Sequence, residues 1–333
     1  MILIIGRSDD PPITMALQAL QEQGAPHQFL ELRTLAQDGL QFDLQHGQLQ
    51  GWLRLAGQRL PLSEVRAIYA RLLSPGSRWA SPQQAQTVSA RAEQLLHWLD
   101  VAPCLVVNRP SAMNTNNAKP MQAHWIAASG FAVPETLVSS DAQEVQAFRE
   151  LHGRVIYKSI SGVRSIVREL TEADLPRLQQ LRQLPVQFQA LVPGEDVRVH
   201  VVGSQCLAAS IACTAVDYRY GRGEQTARLR PTDLPAEVQA RCLTLARELG
   251  LSMAGIDLRR TPDGSWVCFE VNPMPAYSYY ESHTGLPIST ALARCLMAAD
   301  SSSPEDAHHE HASDGEPHPT QRPRAELGTP SLA

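Results

Sequence analysis

The sequence predicts a mixed α/β protein: an N-terminal unit around a largely parallel sheet, then a C-terminal part organised on a β-hairpin bearing acids. Three observations predict this. Short apolar strands alternate with helices over residues 1–108, the pattern of a parallel sheet with crossover helices. Two lysines stand out, Lys119 opening a helix and Lys158 on an otherwise apolar strand. The stretch GIDLRRTPDGSWVCFEVNPMPAYSYYE, Gly255 to Glu281, reads as two strands joined by a Pro262-Asp263-Gly264 turn, with Asp257, Glu270 and Asn272 at their ends.

In chain order, Ile2 to Ile5 is an apolar strand, expected as a first strand and not as a signal peptide, because MILIIGRSDD lacks a basic region and a cleavage site. Thr14 to Gly24 is a helix stopped by its glycine. Phe29 to Leu32 is a second strand. Phe42 to Leu60 alternates and is expected to turn at Gly47, Gly51 and Gly57. Val65 to Leu72 is a strand, Gln83 to Leu99 a helix, and Leu105 to Val107 another strand. The Gly6-Arg7-Ser8-Asp9-Asp10 loop has neither the GxGxxG nor the GxxxxGKS/T pattern and is not read as a nucleotide site.

Lys119 opens a helix running to Ser129. A strand follows at Thr136 to Val138, then a helix capped by Ser140 or Asp141 and ending near His152. Lys158 closes the strand Val155 to Lys158. Burying a lysine unpaired is costly, and either a ligand phosphate or a buried acid would offset that cost. Ser159 to Arg168 is placed as a loop over such a phosphate. Val186 to Val192 is a strand turning at Pro193-Gly194. Along Glu195 to Gly203, Asp196, Arg198 and His200 share one face and Val197, Val199 and Val201 the other, so the polar face is expected to line a cleft. Cys206 to Cys213 is a strand, Asp217 to Gly223 a polar and aromatic loop, and Pro235 to Gly250 an amphipathic helix whose Val238, Cys242, Leu245 and Leu249 form a core stripe. After the hairpin, Ser289 to Met297 is the last helix. From Asp300 onward the chain is polar and Pro/Ser-rich and is expected to be disordered, with His308, His309 and His311 solvated.

Composition narrows the function classes. No run of about 18 apolar residues exists, so no membrane span is expected. The net charge of -5 lies mostly in the tail after Asp300, with six acids and two arginines, so the body is near neutral, which argues against a nucleic-acid partner. Six dispersed cysteines (Cys104, Cys206, Cys213, Cys242, Cys268, Cys295) form no CxxC pair and read as free thiols of a cytoplasmic protein. Glu270 and Asn272, two apart on a strand, leave the same face, and Asp257 on the paired strand can meet them. Two carboxylates and an amide form a hard-oxygen set suited to Mg²⁺ with nucleotide phosphates. A solvated hairpin with scattered acids fits the same three positions.

The order of these features resembles the RimK-like branch of the ATP-grasp ligase superfamily, and within it the microviridin-type (graspetide) peptide ligases. The supporting stretches are VNRPSAMNTNNAKPMQAHWIAASGFAVPET, YKSISG, FQALVPGEDVRVHVVG, the DYR of Asp217 to Arg219, and EVNPMPAYSYYESHTGLPIS. The resemblance covers about residues 1–298. It implies an α/β and α+β architecture: a pre-ATP-grasp domain over 1–108, a central lobe over 109–190, a C-terminal lobe with the metal site over 191–299, and a tail over 300–333. It implies ATP clasped between the two lobes, with Lys119 and Lys158 on the phosphates. The adenine would meet the backbone of Gln189, Ala190, Leu191 and Val192, with Asp196 near the ribose. Asp257, Glu270 and Asn272 would hold one or two Mg²⁺ ions, or Mn²⁺ in their place, and Arg198 and Arg219 would steady the transferring phosphoryl group. Two positions depart from the family pattern. Ala190 stands where the hinge commonly carries an acid, and the loop after Lys158 has only Gly162. The implied reaction is ATP-dependent joining of a carboxylate, on a peptide or small molecule, to an amine or hydroxyl through an acyl phosphate, with ADP and phosphate released. The alternatives are an amino-acid-adding ligase and a non-catalytic ATP-binding regulator. Relatives commonly form homodimers or tetramers. All five of Lys119, Lys158, Asp257, Glu270 and Asn272 are in place, which favours the enzyme.

Overall fold

The computed structural model describes residues 1–301 apart from 47, 74–80, 118, 159–166, 184 and 214–226. The chain begins with β1 (Ile2–Gly6), α1 (Pro11–Glu22), β2 (His27–Glu31), β3 (Gly39–Gln45), β4 (Gln48–Leu55), β5 (Gln58–Pro61), β6 (Ala67–Ala70), α2 (Pro82–Val101) and β7 (Leu105–Val107). β1 is buried along its whole length, as an inner strand of a parallel sheet covered on both sides must be. The sheet order is β2-β1-β6-β7, all parallel. α1 and the last helix of the body cover one face, against Ile2 and Ile4. α2 and the β3-β4-β5 meander cover the other, against Leu3 and Ile5.

Gly51 is not a turn, contrary to the sequence reading. It lies inside β4 at φ 151°, opposite Phe42, where a Cβ would come within 2.0 Å of the Gln41 carbonyl oxygen. Glycine is needed there for close backbone approach, which alternation alone does not distinguish from a turn.

Next come α3 (Pro110–Met113), α4 (Lys119–Ala128), β8 (Thr136–Ser139), α5 (Ala142–His152), β9 (Val155–Lys158), β10 (Arg168–Glu169) and β11 (Val186–Ala190). Asp141 caps α5, its carboxylate accepting from the N–H groups of Gln143 and Glu144 at 2.6 and 3.4 Å. β10-β9-β11-β8 form an antiparallel sheet whose apolar face, including Val155 and Phe188, packs with Val145 of α5.

The last part comprises β12 (Glu195–Val202), β13 (Gln205–Ala212), β14 (Arg228–Thr232), α6 (Ala236–Glu248), β15 (Met253–Arg260), β16 (Trp266–Asn272), α7 (Ser278–Thr284) and α8 (Ile288–Ser301). The sheet runs β14-β13-β12-β15-β16, antiparallel throughout. Val197, Val199, Val201, Ile256 and Leu258 face α6, where Val238, Cys242 and Leu245 are buried. Each such side chain contributes about 1.5–3 kcal/mol of transfer free energy. The opposite face carries the polar residues.

β14 and α7 were not anticipated. β14 contains Pro231, tolerated because it sits on the sheet edge. α7 is a seven-residue helix, too short for a clear apolar period. Among the described residues, no helix is long and apolar enough to cross a membrane.

Candidate functional site

The polar face of the five-stranded sheet brings the hairpin residues together. Asp257 and Glu270 are direct cross-strand partners, and Asn272 opposes Gly255 two positions away. The register shifts between Asp257 and Leu258, so Leu258 pairs with Cys268. This irregularity keeps Cys268 and Val271 in the core while Glu270 and Asn272 remain on the polar side. The Asn272 amide oxygen accepts from the Met274 N–H at 2.9 Å. A carbonyl oxygen has a second lone pair left for a cation.

A cation meets each carboxylate. Arg198 Nη1 donates to Asp257 Oδ1 at 2.7 Å. Lys119 Nζ lies 3.4 Å from Glu270 Oε2. Arg198 is the cross-strand partner of Asp257, and its guanidinium carbon lies 5.5 Å from the Tyr280 ring centre. Beneath it is Gly255, where a Cβ would approach Arg198 Nη2 to 1.9 Å and the Pro275 Cβ to 2.9 Å. Glycine at 255 therefore makes the room in which Arg198 lies.

His200 departs from the sequence reading. It shares a face with Asp196 and Arg198, but α7 closes over that end of the strand. His200 is fully buried, edge-on to Tyr280 at 4.9 Å, and lines no cleft. Neither ring nitrogen has a partner among the described residues. Burial, with a smaller contribution from Arg198, holds its pKa well below the ordinary histidine value, so the ring is neutral.

α4 is docked by a residue that sequence reasoning did not single out. Gln122 is buried and clasps Val271: its amide nitrogen donates to the Val271 carbonyl at 2.8 Å, and its oxygen accepts from the Val271 N–H at 2.9 Å. Val271 lies between Glu270 and Asn272, so this clasp sets Lys119, at the start of α4, against the carboxylates. The only sequence signal was a glutamine on the same inward side of the helix as Ile126.

The antiparallel sheet of the middle segment offers a second polar face. Lys158 and Gln187 are cross-strand partners and both are buried. Gln189 lies two residues on, its amide nitrogen donating to Thr136 Oγ1 at 3.0 Å. The side-chain oxygens of Gln187 and Gln189 are buried and accept no hydrogen bond from the described residues. Such buried acceptors normally have a partner, and a ligand donor would supply one.

At the hinge, the Ala190 N–H donates to the Glu135 carbonyl at 3.0 Å and the Leu191 N–H to the Arg154 carbonyl at 2.8 Å. Arg259, also not singled out from the sequence, ties this hinge down. Its Nη1 donates to the Val192 carbonyl at 2.6 Å and its Nε to Asp196 Oδ1 at 2.8 Å.

Arg219, the Ser159 to Arg168 loop up to residue 166, and the tail from 302 lie outside the described residues. Among the described residues, no three His, Cys, Asp or Glu side chains form a metal-binding group. The hairpin set has two carboxylates and an amide, which is the donor type Mg²⁺ takes when substrate phosphates complete its shell. The residues present fit a Mg²⁺–nucleotide complex: hard oxygen donors and cations at the hairpin, and buried acceptors beside Lys158 on the middle sheet.

Comparison with known proteins gives this geometry a family. A RimK-like ATP-grasp domain matches residues 116–296, more than half of the chain. Beta-citrylglutamate synthase B of Danio rerio is 26% identical over 307 residues, covering 87% of this chain and 71% of that protein. A probable alpha-L-glutamate ligase of Histophilus somni is 26% identical over 181 residues, and the match spans only 57% of that relative's length. Among solved structures, the ATP-grasp ligase PsnB complexed with a phosphomimetic variant of its minimal precursor, Mg and ADP aligns with a TM-score of 0.74 at 26% identity, over 90% of this chain and 98% of PsnB. The macrocyclase MdnC of Microcystis aeruginosa, bound with the precursor peptide MdnA, has the same fold: TM-score 0.74 at 22% identity, over 90% of this chain and all of MdnC. The chain belongs to the RimK-like ATP-grasp family of ligases.

Proposed function

We propose that this protein uses ATP to condense a side-chain carboxylate of a peptide with an amine or hydroxyl, closing a crosslink within a ribosomally made precursor. The observation that carries the reading is the cross-strand pair Asp257–Glu270, with a cation against each carboxylate and Asn272 on the same face. The likeness to PsnB, whose solved complexes hold a precursor peptide, supports the peptide as substrate.

Each residue then has a task. Asp257, Glu270 and Asn272 would hold one or two Mg²⁺ ions, with Mn²⁺ as a substitute, and the metal would offset the charge of the phosphates. Lys119 and Lys158 neutralise the phosphates. Gln189 and the hinge to Val192 receive the adenine: the buried Gln189 amide oxygen suits its exocyclic amino group, and the hinge backbone its ring nitrogens. Asp196, oriented by Arg259, stands at the ribose hydroxyls.

The peptide carboxylate attacks the terminal phosphorus. ADP leaves and an acyl phosphate forms. The amine or hydroxyl then attacks the acyl carbon, losing its proton, and phosphate departs. Arg198 and Arg219 steady the negative oxygens of both steps. Positioning and charge neutralisation suffice, and no nucleophilic side chain is required. Six free thiols and the need for ATP suit the cytoplasm.

Glu270→Gln keeps the size of the side chain and removes its charge. It is expected to lower peptide-dependent ADP release at least ~100-fold, because even the groups that merely orient metal ligands cost 10–100-fold when lost. Unchanged ADP release would overturn the assignment. The second reading, addition of free glutamate to a peptide or small acceptor, is favoured by the names of the sequence relatives.

A further inference from the structure

The segment that follows the metal-bearing strand is held from the far end of the sequence. Asn108, buried at the end of β7, donates from Nδ2 to the Met253 carbonyl at 2.6 Å and the Pro273 carbonyl at 2.5 Å, and accepts from the Met253 N–H at 3.0 Å. Tyr277, also buried, donates its hydroxyl to the Pro12 carbonyl at 2.6 Å. Between these two anchors lies Arg71. It follows β6, is 4% exposed, and donates from Nε to Asp10 Oδ2 at 2.5 Å. Its Nη1 reaches across to the carbonyls of Pro275 at 3.0 Å and Met274 at 3.4 Å.

Met274 is the residue whose N–H holds the Asn272 amide oxygen at 2.9 Å. A continuous path therefore runs from Asp10 through Arg71 to the Met274 peptide and on to Asn272. A buried guanidinium left without acceptors is expensive, so this arrangement has one low-energy geometry. The N-terminus of α1 offers no competing role: its first two residues, Pro11 and Pro12, have no N–H for an anion, and the next two N–H groups bond the Asp10 carbonyl.

We propose that Arg71, braced by Asp10, is a positioning residue for the metal site: it fixes the Met274–Pro275 backbone and through it the orientation of Asn272. The N-terminal sheet is thus part of the catalytic apparatus, acting through the chain and not through contact with nucleotide. The inference rests on the Mg²⁺ assignment made above.

Calorimetric titration of ADP, with and without Mg²⁺, tests it. The quantity read is the factor by which Mg²⁺ strengthens ADP binding. Arg71→Met is expected to lower that factor about tenfold and leave Mg²⁺-free ADP affinity unchanged, as loss of a group that orients a ligand does. Arg71→Lys keeps the charge on Asp10 but lacks the second N–H arm that reaches the carbonyls, and the same selective loss is expected. It decides the matter if Arg71→Met does not fold. Glu270→Gln is the control, expected to lose the Mg²⁺-dependent gain altogether. If Glu270→Gln loses the gain and the folded Arg71 variant keeps it, the positioning role is overturned and the metal site stands. An equal loss with and without Mg²⁺ also overturns it, as a general structural effect. If Glu270→Gln keeps the gain, the metal assignment falls and the inference with it.

Discussion

Arg198 shows how one side chain is fixed by neighbours of different chemistry: a carboxylate at Asp257, an aromatic face at Tyr280, and the absence of a side chain at Gly255. His200, two residues on, is neutral and without a polar partner among the described residues. That has a consequence for stability. The unfolded ring binds a proton below its ordinary pKa of 6.5, whereas the folded ring does so only at much lower pH. The unfolded state therefore gains protons first as pH falls, and stability drops below about pH 6.5, by up to about 1.4 kcal/mol per pH unit. Urea unfolding between pH 7 and pH 5 is expected to show this slope reduced in His200→Leu. Identical slopes would refute the assignment. At this scale the sequence was informative about faces and uninformative about cover. Alternation put His200 beside Arg198, but α7, which buries it, was not anticipated. Likewise Arg71 lies near the end of the strand expected over Val65 to Leu72, and nothing local links it to carbonyls about two hundred positions away.

At the scale of elements, the hairpin was the most legible part, because its turn residues, its alternation and its acids all lie within 27 consecutive positions. The strand bearing Lys158 was legible for a similar reason: a charge at the end of an apolar run is conspicuous. What local pattern does not report is docking. α4 was anticipated as a helix, but its attachment through Gln122 to Val271 was not. Gln122→Ala leaves the Val271 N–H and carbonyl without their buried partners, at a cost of about 1–3 kcal/mol. It is also expected to weaken ADP binding, because Lys119 loses its fixed approach to Glu270. Unfolding and nucleotide titration on the same variant check both effects, and a variant that binds ADP like the parent chain would separate the clasp from the site.

Among the described residues up to 300, three polar systems stand out: the carboxylate pair with its cations, the buried glutamines on the sheet that carries Lys158, and the Asp10–Arg71 brace from the parallel sheet. The first two have the chemistry that the proposed nucleotide–metal complex needs, and the third ties the backbone after Asn272 to the parallel sheet. The ligase family follows from the match of residues 116–296 to a RimK-like ATP-grasp domain. The proposed peptide substrate has a direct test. Intact-mass spectrometry of small peptides encoded beside this gene, incubated with the protein, ATP and Mg²⁺, provides it. A peptide substrate is expected to lose the mass of one water for each bond closed, with one ADP released per bond. A peptide that gains the mass of an amino acid, or keeps its mass while ADP accumulates, would contradict it.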